Sequence, residues 1–327
     1  MGYHNLVVTL DIDSAYPSVS PDKLCSVLLD QGWPESTSLL AADFCTARSF
    51  SFRWARSTFH TDSGLPQGSP WSPILFALFT LPLVRPSQGA AFAYMDDHAQ
   101  HTWSRDPFQL VYHASLRVAE LCEKAKGPGL RIDRRKTDAL YIPLRGKGVT
   151  KTRMDTSRIH VTGGGQDVVP SHSIKWVGVT LDSRLSLKAQ VSARATATIA
   201  IAGLLTRICN TRRDLPSAAA PRIFRRAVVP SVAYGLVQLD PGPMRAGSNG
   251  RLVPTDTLST FGIAGQVINR TLRALFPVWR TIQTQMLYWL VGTPPEHIWS
   301  LERYRWRSRA EHLPAGHPIS IGLAAKP

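Results

Sequence analysis

The 327-residue chain carries 38 Lys and Arg against 23 Asp and Glu, a net charge of +15, which favours a polyanionic partner because phosphate contacts dominate nucleic-acid affinity. Its most apolar stretch, Ile74 to Val84, is too short to span a bilayer, and the opening residues lack the basic-then-apolar pattern of a leader. The four cysteines, Cys25, Cys45, Cys122 and Cys209, form no C-x-x-C pair, which excludes a zinc ribbon or disulfide frame and predicts reduced, mostly buried thiols in an intracellular protein, in nucleus or cytoplasm with the mitochondrion left open.

Leu6 to Ile12 is a short apolar run, predicted as a buried strand ending on Asp11 and Asp13. Ser20-Pro21-Asp22 predicts a helix start, with Ser20 as cap and Leu24, Val27 and Leu28 on one face. Ser49 to His60 alternates aromatic and basic residues (Phe50, Phe52, Arg53, Trp54, Arg56, Phe59), the pattern of paired strands. Pro70 and Pro73 then open an apolar helix through Ile74, Leu75, Leu78 and Phe79.

Ala90 to Tyr94 and Ala99 to Trp103 read as strands flanking Met95-Asp96-Asp97-His98, which places both acids at a hairpin turn. His98 and His101 fit no zinc spacing and are expected on the strand surface. Phe108 to Lys126 has helical spacing through Leu110, His113, Leu116, Ala119, Glu120 and Glu123, and Gly127-Pro128-Gly129 stops it. Leu130 to Ile142 is the next strand region and carries Lys136, while Lys147 to Val168 reads as a loop or hairpin excursion.

From Leu187 the four-by-four spacing Leu187, Val191, Ala195, Ile199 predicts a helix. A second runs near Arg222 to Tyr234 with a bend at Pro230, Pro241 to Pro254 reads as a linker, and helical patterns resume from Thr257 to Leu313. Within the last, Arg303-Tyr304-Arg305-Trp306-Arg307-Ser308-Arg309 interleaves basic and aromatic side chains. That pattern suits stacking on single-stranded nucleic acid or a basic amphipathic helix packed on its neighbours. The alternation of strand and helix up to residue 142, with acids at strand ends, predicts an α+β fold: a small antiparallel sheet backed by helices, palm-like in shape.

Three separated motifs carry a resemblance. They are Leu10-Asp11-Ile12-Asp13-Ser14-Ala15-Tyr16, Gly64-Leu65-Pro66-Gln67-Gly68-Ser69-Pro70 and Tyr94-Met95-Asp96-Asp97. In that order they are similar to the A, B and C motifs of reverse transcriptases. Arg135-Lys136-Thr137-Asp138 resembles motif D, and Trp176-Val177-Gly178-Val179-Thr180-Leu181-Asp182 resembles the motif E primer grip. Paired with Arg226-Ala227-Val228-Val229-Pro230-Ser231-Val232-Ala233-Tyr234-Gly235, the latter resembles non-long-terminal-repeat (LINE-like) retrotransposons, especially fungal ones.

The resemblance covers about residues 5 to 240 and implies an organisation: a polymerase palm over 1–150 with the fingers mostly missing, a loop and primer-grip hairpin over 151–186, a helical thumb over 187–245, and a basic helical C-terminal connector over 246–327. It implies an RNA-directed DNA polymerase that adds dNTPs to a DNA primer 3′-hydroxyl on an RNA template, and a truncated retrotransposon reading frame. In such chemistry two magnesium ions, roughly 3.5 to 4 Å apart, clamp the attacking and leaving oxygens.

Carried over by position, Asp11 and Asp96 would bind both ions, magnesium or alternatively manganese, and Asp97 would support that metal site. The Ile12 carbonyl would complete one ion's coordination, and Tyr16 would exclude a 2′-hydroxyl. Gln67 and Gly68 would contact template and incoming nucleotide. Lys136 would be the general acid for pyrophosphate, and Trp176 and Gly178 would position the primer end. Two rivals stand beside this reading: a non-catalytic nucleic-acid-binding remnant, and a different template-copying enzyme, intron-encoded or an RNA-templated RNA polymerase. The oligomeric state stays open.

Overall fold

The computed structural model describes residues 3–52, 54, 57–84, 90–144, 159–163, 165–186, 188–208, 219–235, 244–246, 252–254, 258–276, 281–292, 309 and 312–314. The chain divides into two compact units, Met1–Val177 with Asp182–Arg184, and Gly178–Leu181 with Leu185–Pro327.

In the first unit, strand β1 (His4–Ile12) lies inside a four-stranded sheet. Helices α1 (Pro21–Asp30) and α2 (Glu35–Asp43), the short strands β2 (Arg48–Ser51) and β3 (Thr58–Thr61), and helix α3 (Trp71–Thr80) follow it. The chain then re-enters the sheet as β4 (Ala90–Tyr94) and β5 (Asp97–Ser104), crosses it as helix α4 (Pro107–Lys126) and returns as β6 (Ile132–Ile142). The sheet order is β4-β5-β1-β6, with every neighbouring pair antiparallel.

Strand periodicity decides which face is covered. Leu6, Val8, Leu10 and Ile12 are buried; the first three pack with Leu110, Ala114, Val118 and Leu121 of α4, and Ile12 packs with Leu24, Leu65, Phe76 and Phe79 of the α1 and α3 region. Phe76 and Phe79 are fully buried, each contributing roughly 1.5–3 kcal/mol by area removed from water. Residues of the other parity, Asp11 among them, fall on the opposite face.

The paired strands expected near Ser49 to His60 are present, Phe50 facing Phe59 across β2 and β3; Arg53 and Arg56 lie outside the described residues. Helix α1 begins at Pro21 as expected, but the Ser20 side chain makes no capping bond. Helix α4 gains a cap that the sequence reading missed: the Asp106 carboxylate accepts the Phe108 amide at 3.1 Å. The spacing that predicts this helix is not its buried stripe. Steps of three, as in His113, Leu116 and Ala119, rotate steadily around a helix with about 3.6 residues per turn. The covered stripe instead runs Leu110, Ala114, Arg117, Val118, Leu121, Ala125, and leaves Leu116 exposed.

His98 is a correction. Expected on the surface, it is 2% exposed, because the register sets it opposite Leu10 and hence on the core side. Burial lowers its pKa to about 4, so the ring is neutral inside the sheet. His101 is half-buried and within 3.0 Å of the Asn5 side-chain oxygen. Cys25, Cys45 and Cys122 are free thiols, Cys45 buried and the other two half-buried; Cys209 lies outside the described residues. Of the stretch Lys147 to Val168, residues 147–158 and 164 are likewise outside, and β7 (Val161–Gly163) pairs antiparallel with β8 (Gln166–Val168). Strands β9 (Ser173–Trp176) and β10 (Val179–Asp182) lead to the second unit.

That unit is helical: α5 (Lys188–Ile208), α6 (Ala219–Ile223), α7 (Val229–Ala233), α8 (Leu258–Leu275) and α9 (Thr284–Val291) enclose Val191, Leu205, Phe224, Val228, Leu272 and Leu287. The helix predicted from the four-by-four spacing is present as α5, but that spacing does not trace its buried stripe. A step of four overshoots a 3.6-residue turn, so burial passes from Val191 and Ala195 to Thr198, Ala202 and Leu205 while Ile199 emerges at 42% exposure. Leu187 is outside the described residues.

Just before Pro230, where the sequence predicts a bend, the helix passes through a π-helical turn, Phe224–Val228; proline lacks the amide a helix interior needs, and a π turn rearranges that ladder. In the stretch expected as a linker, β11 (Met244–Ala246) pairs antiparallel with β12 (Leu252–Pro254); its other residues, and Arg303 to Ser308, lie outside the described residues. No helix among the described residues is long and apolar enough to cross a membrane.

Candidate functional site

The site grows at the Asp11 end of the sheet face opposite α4, beyond the buried Thr9 and Ala99. Asp11 faces Asp97 across one strand boundary and Asp133 across the other, so three carboxylates form a row over β5, β1 and β6. Directly opposed side chains in a sheet lie within roughly 5 Å at Cβ and repel when both are charged. Asp96 stands beside the row in the two-residue loop between Tyr94 and Asp97, exposed, while its carbonyl accepts the Ile12 amide at 3.1 Å.

That loop is strained: Met95 has φ 54, a conformation that costs a side-chain-bearing residue about 1–2 kcal/mol. Its sulfur accepts the Tyr16 hydroxyl at 3.4 Å. The Tyr16 ring also meets Phe76 edge-on, with centroids 5.2 Å apart. Burial first, then Asp96 and Tyr94, raises the Tyr16 pKa, which keeps the phenol neutral.

Lys136 reaches the row from β6. Its ammonium is 2.7 Å from Asp11 Oδ2 and 3.8 Å from Asp133 Oδ2, and its pKa is raised, chiefly by the bond to Asp11. The Asp97 pKa is raised by burial and then by Asp96 and Asp11, against the opposing pull of Lys136 and of the Val177 amide, which donates to it. Val177 holds φ 47, an outlier for a β-branched residue, so backbone strain accompanies the donor that serves this carboxylate.

A pH dependence follows. A carboxylate whose folded pKa lies above its unfolded one stabilises the fold at low pH, and that stability is lost as pH rises through the folded value. In chelator, the midpoint of thermal unfolding is expected to fall from the ordinary carboxylate range up through the raised Asp97 pKa. A flat profile in chelator would contradict the raised Asp97 pKa.

The Gly64–Pro70 loop is fastened to the turn after β1. The Gly64 amide donates to Val19 at 2.8 Å and the Leu65 amide to Tyr16 at 2.9 Å, while Arg48 donates to the Ser63 and Gly64 carbonyls. Gly64 has φ +82, and a Cβ there would lie 2.8 Å from Pro17 Cα, so this glycine is where backbones come closest. Gln67 and Gly68 form the exposed tip; a Cβ on Gly68 would meet nothing. The structure therefore brings together Asp11, Asp96, Asp97 and Lys136, and ties Tyr16 and the base of the Gln67 loop to them.

Trp176 belongs to the first unit, where its ring lies 6.2 Å from that of Phe92 on β4. Gly178 belongs to the second. There its carbonyl accepts from Arg194 at 3.3 Å, and a Cβ on it would press to 3.2 Å from the Tyr234 ring. The fully buried Gln190 accepts the Thr180 amide and donates to the Tyr234 carbonyl, both at 2.8 Å. This gives a physical reason for the two C-terminal motifs to occur together: one glutamine holds both.

Sequence reasoning missed Asp133 and Val177. The first was legible only through register, the second only through φ. Among the described residues no three His, Cys, Asp or Glu side chains converge into a formed metal cage; the Lys136 ammonium stands beside Asp11 instead.

The structure thus defines an acidic site on an antiparallel sheet, with Asp11 opposite Asp97 and Asp133, a strained hairpin carrying Asp96 and a pinned glycine loop. The sequence model described as reverse transcriptase (RNA-dependent DNA polymerase) matches residues 1–181, and the chain belongs to that family. No curated protein sequence matches the chain. Among solved structures, apo telomerase from Candida tropicalis is similar at a TM-score of 0.36 and 10% identity, over 96% of this chain and 51% of that one. Telomerase from Candida albicans, in complex with the TWJ fragment of telomeric RNA, is similar at 0.32 and 11%, over 99% and 50%. The chain thus spans about half the length of these solved chains.

Proposed function

We propose that the chain is an RNA-directed DNA polymerase of the non-long-terminal-repeat retrotransposon type, adding dNTPs to a primer 3′-hydroxyl. The observation that carries the reading is the carboxylate row, Asp11 between Asp97 and Asp133 with Asp96 on the adjoining turn, inside the region that matches the family. The donors suit a hard divalent cation, since they are carboxylates alone and His98 is turned into the core. Burial first, and then the neighbouring Asp96 and Asp11, raises the proton affinity of Asp97, and a bound cation would offset both.

Asp11, Asp96 and Asp97 would hold magnesium, with manganese as the alternative, and the bound ions would supply the positive charge that activates the primer hydroxyl and steadies the leaving phosphates. The chain's own groups do the rest. Tyr16, fixed by Met95 and Phe76, stands against the sugar and favours deoxynucleotides, which counts against a ribonucleotide polymerase. Gln67 and Gly68 meet the template and incoming nucleotide from the pinned loop. Lys136, a charged amine at the metal-facing carboxylate, is placed to give a proton to pyrophosphate. Trp176 and Gly178 position the primer end. The linked occurrence of Gly178 and Tyr234 supports the retrotransposon type.

Purified chain mixed with RNA template, annealed DNA primer, dNTPs and magnesium is expected to extend the primer, and to stop when the metal is chelated. Salt-dependent RNA binding without extension at any magnesium concentration would overturn the reading in favour of a non-catalytic remnant.

A further inference from the structure

Strand β6 does not run evenly beside β1. Thr9 pairs with Asp138 and Asp11 with Asp133, so two residues of advance on β1 match five on β6, and Arg134 to Thr137 stand out as a bulge. Asp133 closes its base. Its Oδ1 accepts the Arg135 amide at 2.9 Å, and its carbonyl accepts the Thr137 hydroxyl at 3.1 Å. Its Oδ2 is 3.8 Å from the Lys136 ammonium, which lies 2.7 Å from Asp11 Oδ2.

The Lys136 side chain is 65% exposed while those of Asp11 and Asp133 are 14% and 24% exposed. Packing therefore does not hold the lysine; the bulge and the two carboxylates do. A long ammonium side chain on a solvent-facing bulge otherwise keeps its rotamer freedom, which is costly to remove.

We infer that Asp133 is a positioning residue for Lys136: it shapes the bulge that aims the ammonium at Asp11, and it is the second anion that keeps the ammonium in place when a cation claims Asp11. The catalytic consequence rests on the polymerase reading; the geometric claim does not. Two functions of one carboxylate can be separated by substitution. Asparagine at 133 still accepts the Arg135 amide but carries no charge, whereas alanine loses both roles.

The test uses the full chain and has two arms. In the first, wild type, Asp133→Ala and Asp133→Asn are acylated with acetic anhydride without metal, and labelling of Lys136 is read by mass spectrometry relative to the exposed Lys175. Losing its anchor is expected to raise Lys136 labelling about threefold in Asp133→Ala, with Asp133→Asn between that and wild type. In the second arm, Asp133→Ala is expected to lower kcat for nucleotide addition about tenfold with KM unchanged, and to add no loss in a Lys136→Ala background, as coupled residues do.

Equal Lys136 labelling in wild type and Asp133→Ala overturns the inference, whatever the chain does with a primer. So does a loss that persists undiminished in the Lys136→Ala background, the signature of a merely structural aspartate. If Asp133→Ala does not fold by circular dichroism, Asp133→Asn carries both comparisons. Failure of wild type to extend a primer would reject the polymerase reading and leave the labelling arm to decide the role of Asp133.

Discussion

Asp11→Asn is expected to reduce nucleotide addition by at least about a thousandfold, roughly 4 kcal/mol of barrier, while the fold survives with equal or greater stability. Asp11 is the middle member of the row, opposite Asp97 and Asp133 at once and bonded to Lys136. On the proposed polymerase reading any cation at the row has to meet it, so no neighbour can stand in for its charge. The same centrality makes it costly to the resting fold, because like charges directly opposed across strands destabilise a sheet.

Asparagine keeps the shape and removes one repulsion that raises the Asp97 pKa. Single-turnover primer extension and thermal unfolding in chelator, on one preparation, check both halves. The fall of stability with rising pH should be shallower in the variant than in wild type. Loss of activity together with loss of fold would assign Asp11 to structure instead of chemistry.

What the sequence made legible has a common physical basis: it was local. The strand ending on Asp11, the hairpin that presents Asp96 and Asp97, and the proline-started helix after the Gly64 loop all follow from period-two patterns, turn composition and the absent proline amide. What stayed hidden depends on partners distant in the chain. His98 sits among polar residues and reads as surface until register places it against Leu10. Asp133 reads as a solvated strand residue until the bulge brings it level with Asp11.

Val177 falls inside the motif that resembles the primer grip, but nothing local announces its positive φ. The drift of burial along α5 is a smaller case of the same kind: a four-residue repeat is visible in sequence, but which stripe is covered is decided by the helices packed on it. The acids, then, were found by motif, and the groups that orient them were found by geometry.

The group that most depends on such geometry is Arg117, and Arg117→Ala is expected to cost about 3 kcal/mol or more, lowering the unfolding midpoint by roughly 10 °C. On the sequence it looks like one more basic residue of a helix, yet it is 4% exposed, and burial pulls its pKa below the usual guanidinium value with only Glu120 opposing. Such a charge is tolerable only if its terminal donors are used, Nε being buried with no acceptor among the described residues. Nη1 donates to the His101 carbonyl at 2.5 Å and the Thr102 hydroxyl at 3.1 Å, and Nη2 donates to the Ala90 carbonyl at 2.9 Å.

Ala90 and His101 are themselves paired, so the planar fork clips α4 to the base of the β4–β5 hairpin, whose tip is Met95 and Asp96 and whose returning strand opens on Asp97. Among the described residues β4 stands at the sheet edge beside β5, so the clip adds a hold from α4 to the one that strand pairing gives. Lysine offers one ammonium and cannot reach both strands in this way, so Arg117→Lys should regain part of the stability and little of the activity, with kcat falling more than nucleotide KM rises. A variant at 117 that melts early yet extends primers at the wild-type rate below its melting temperature would show that the hairpin aims its acids unaided.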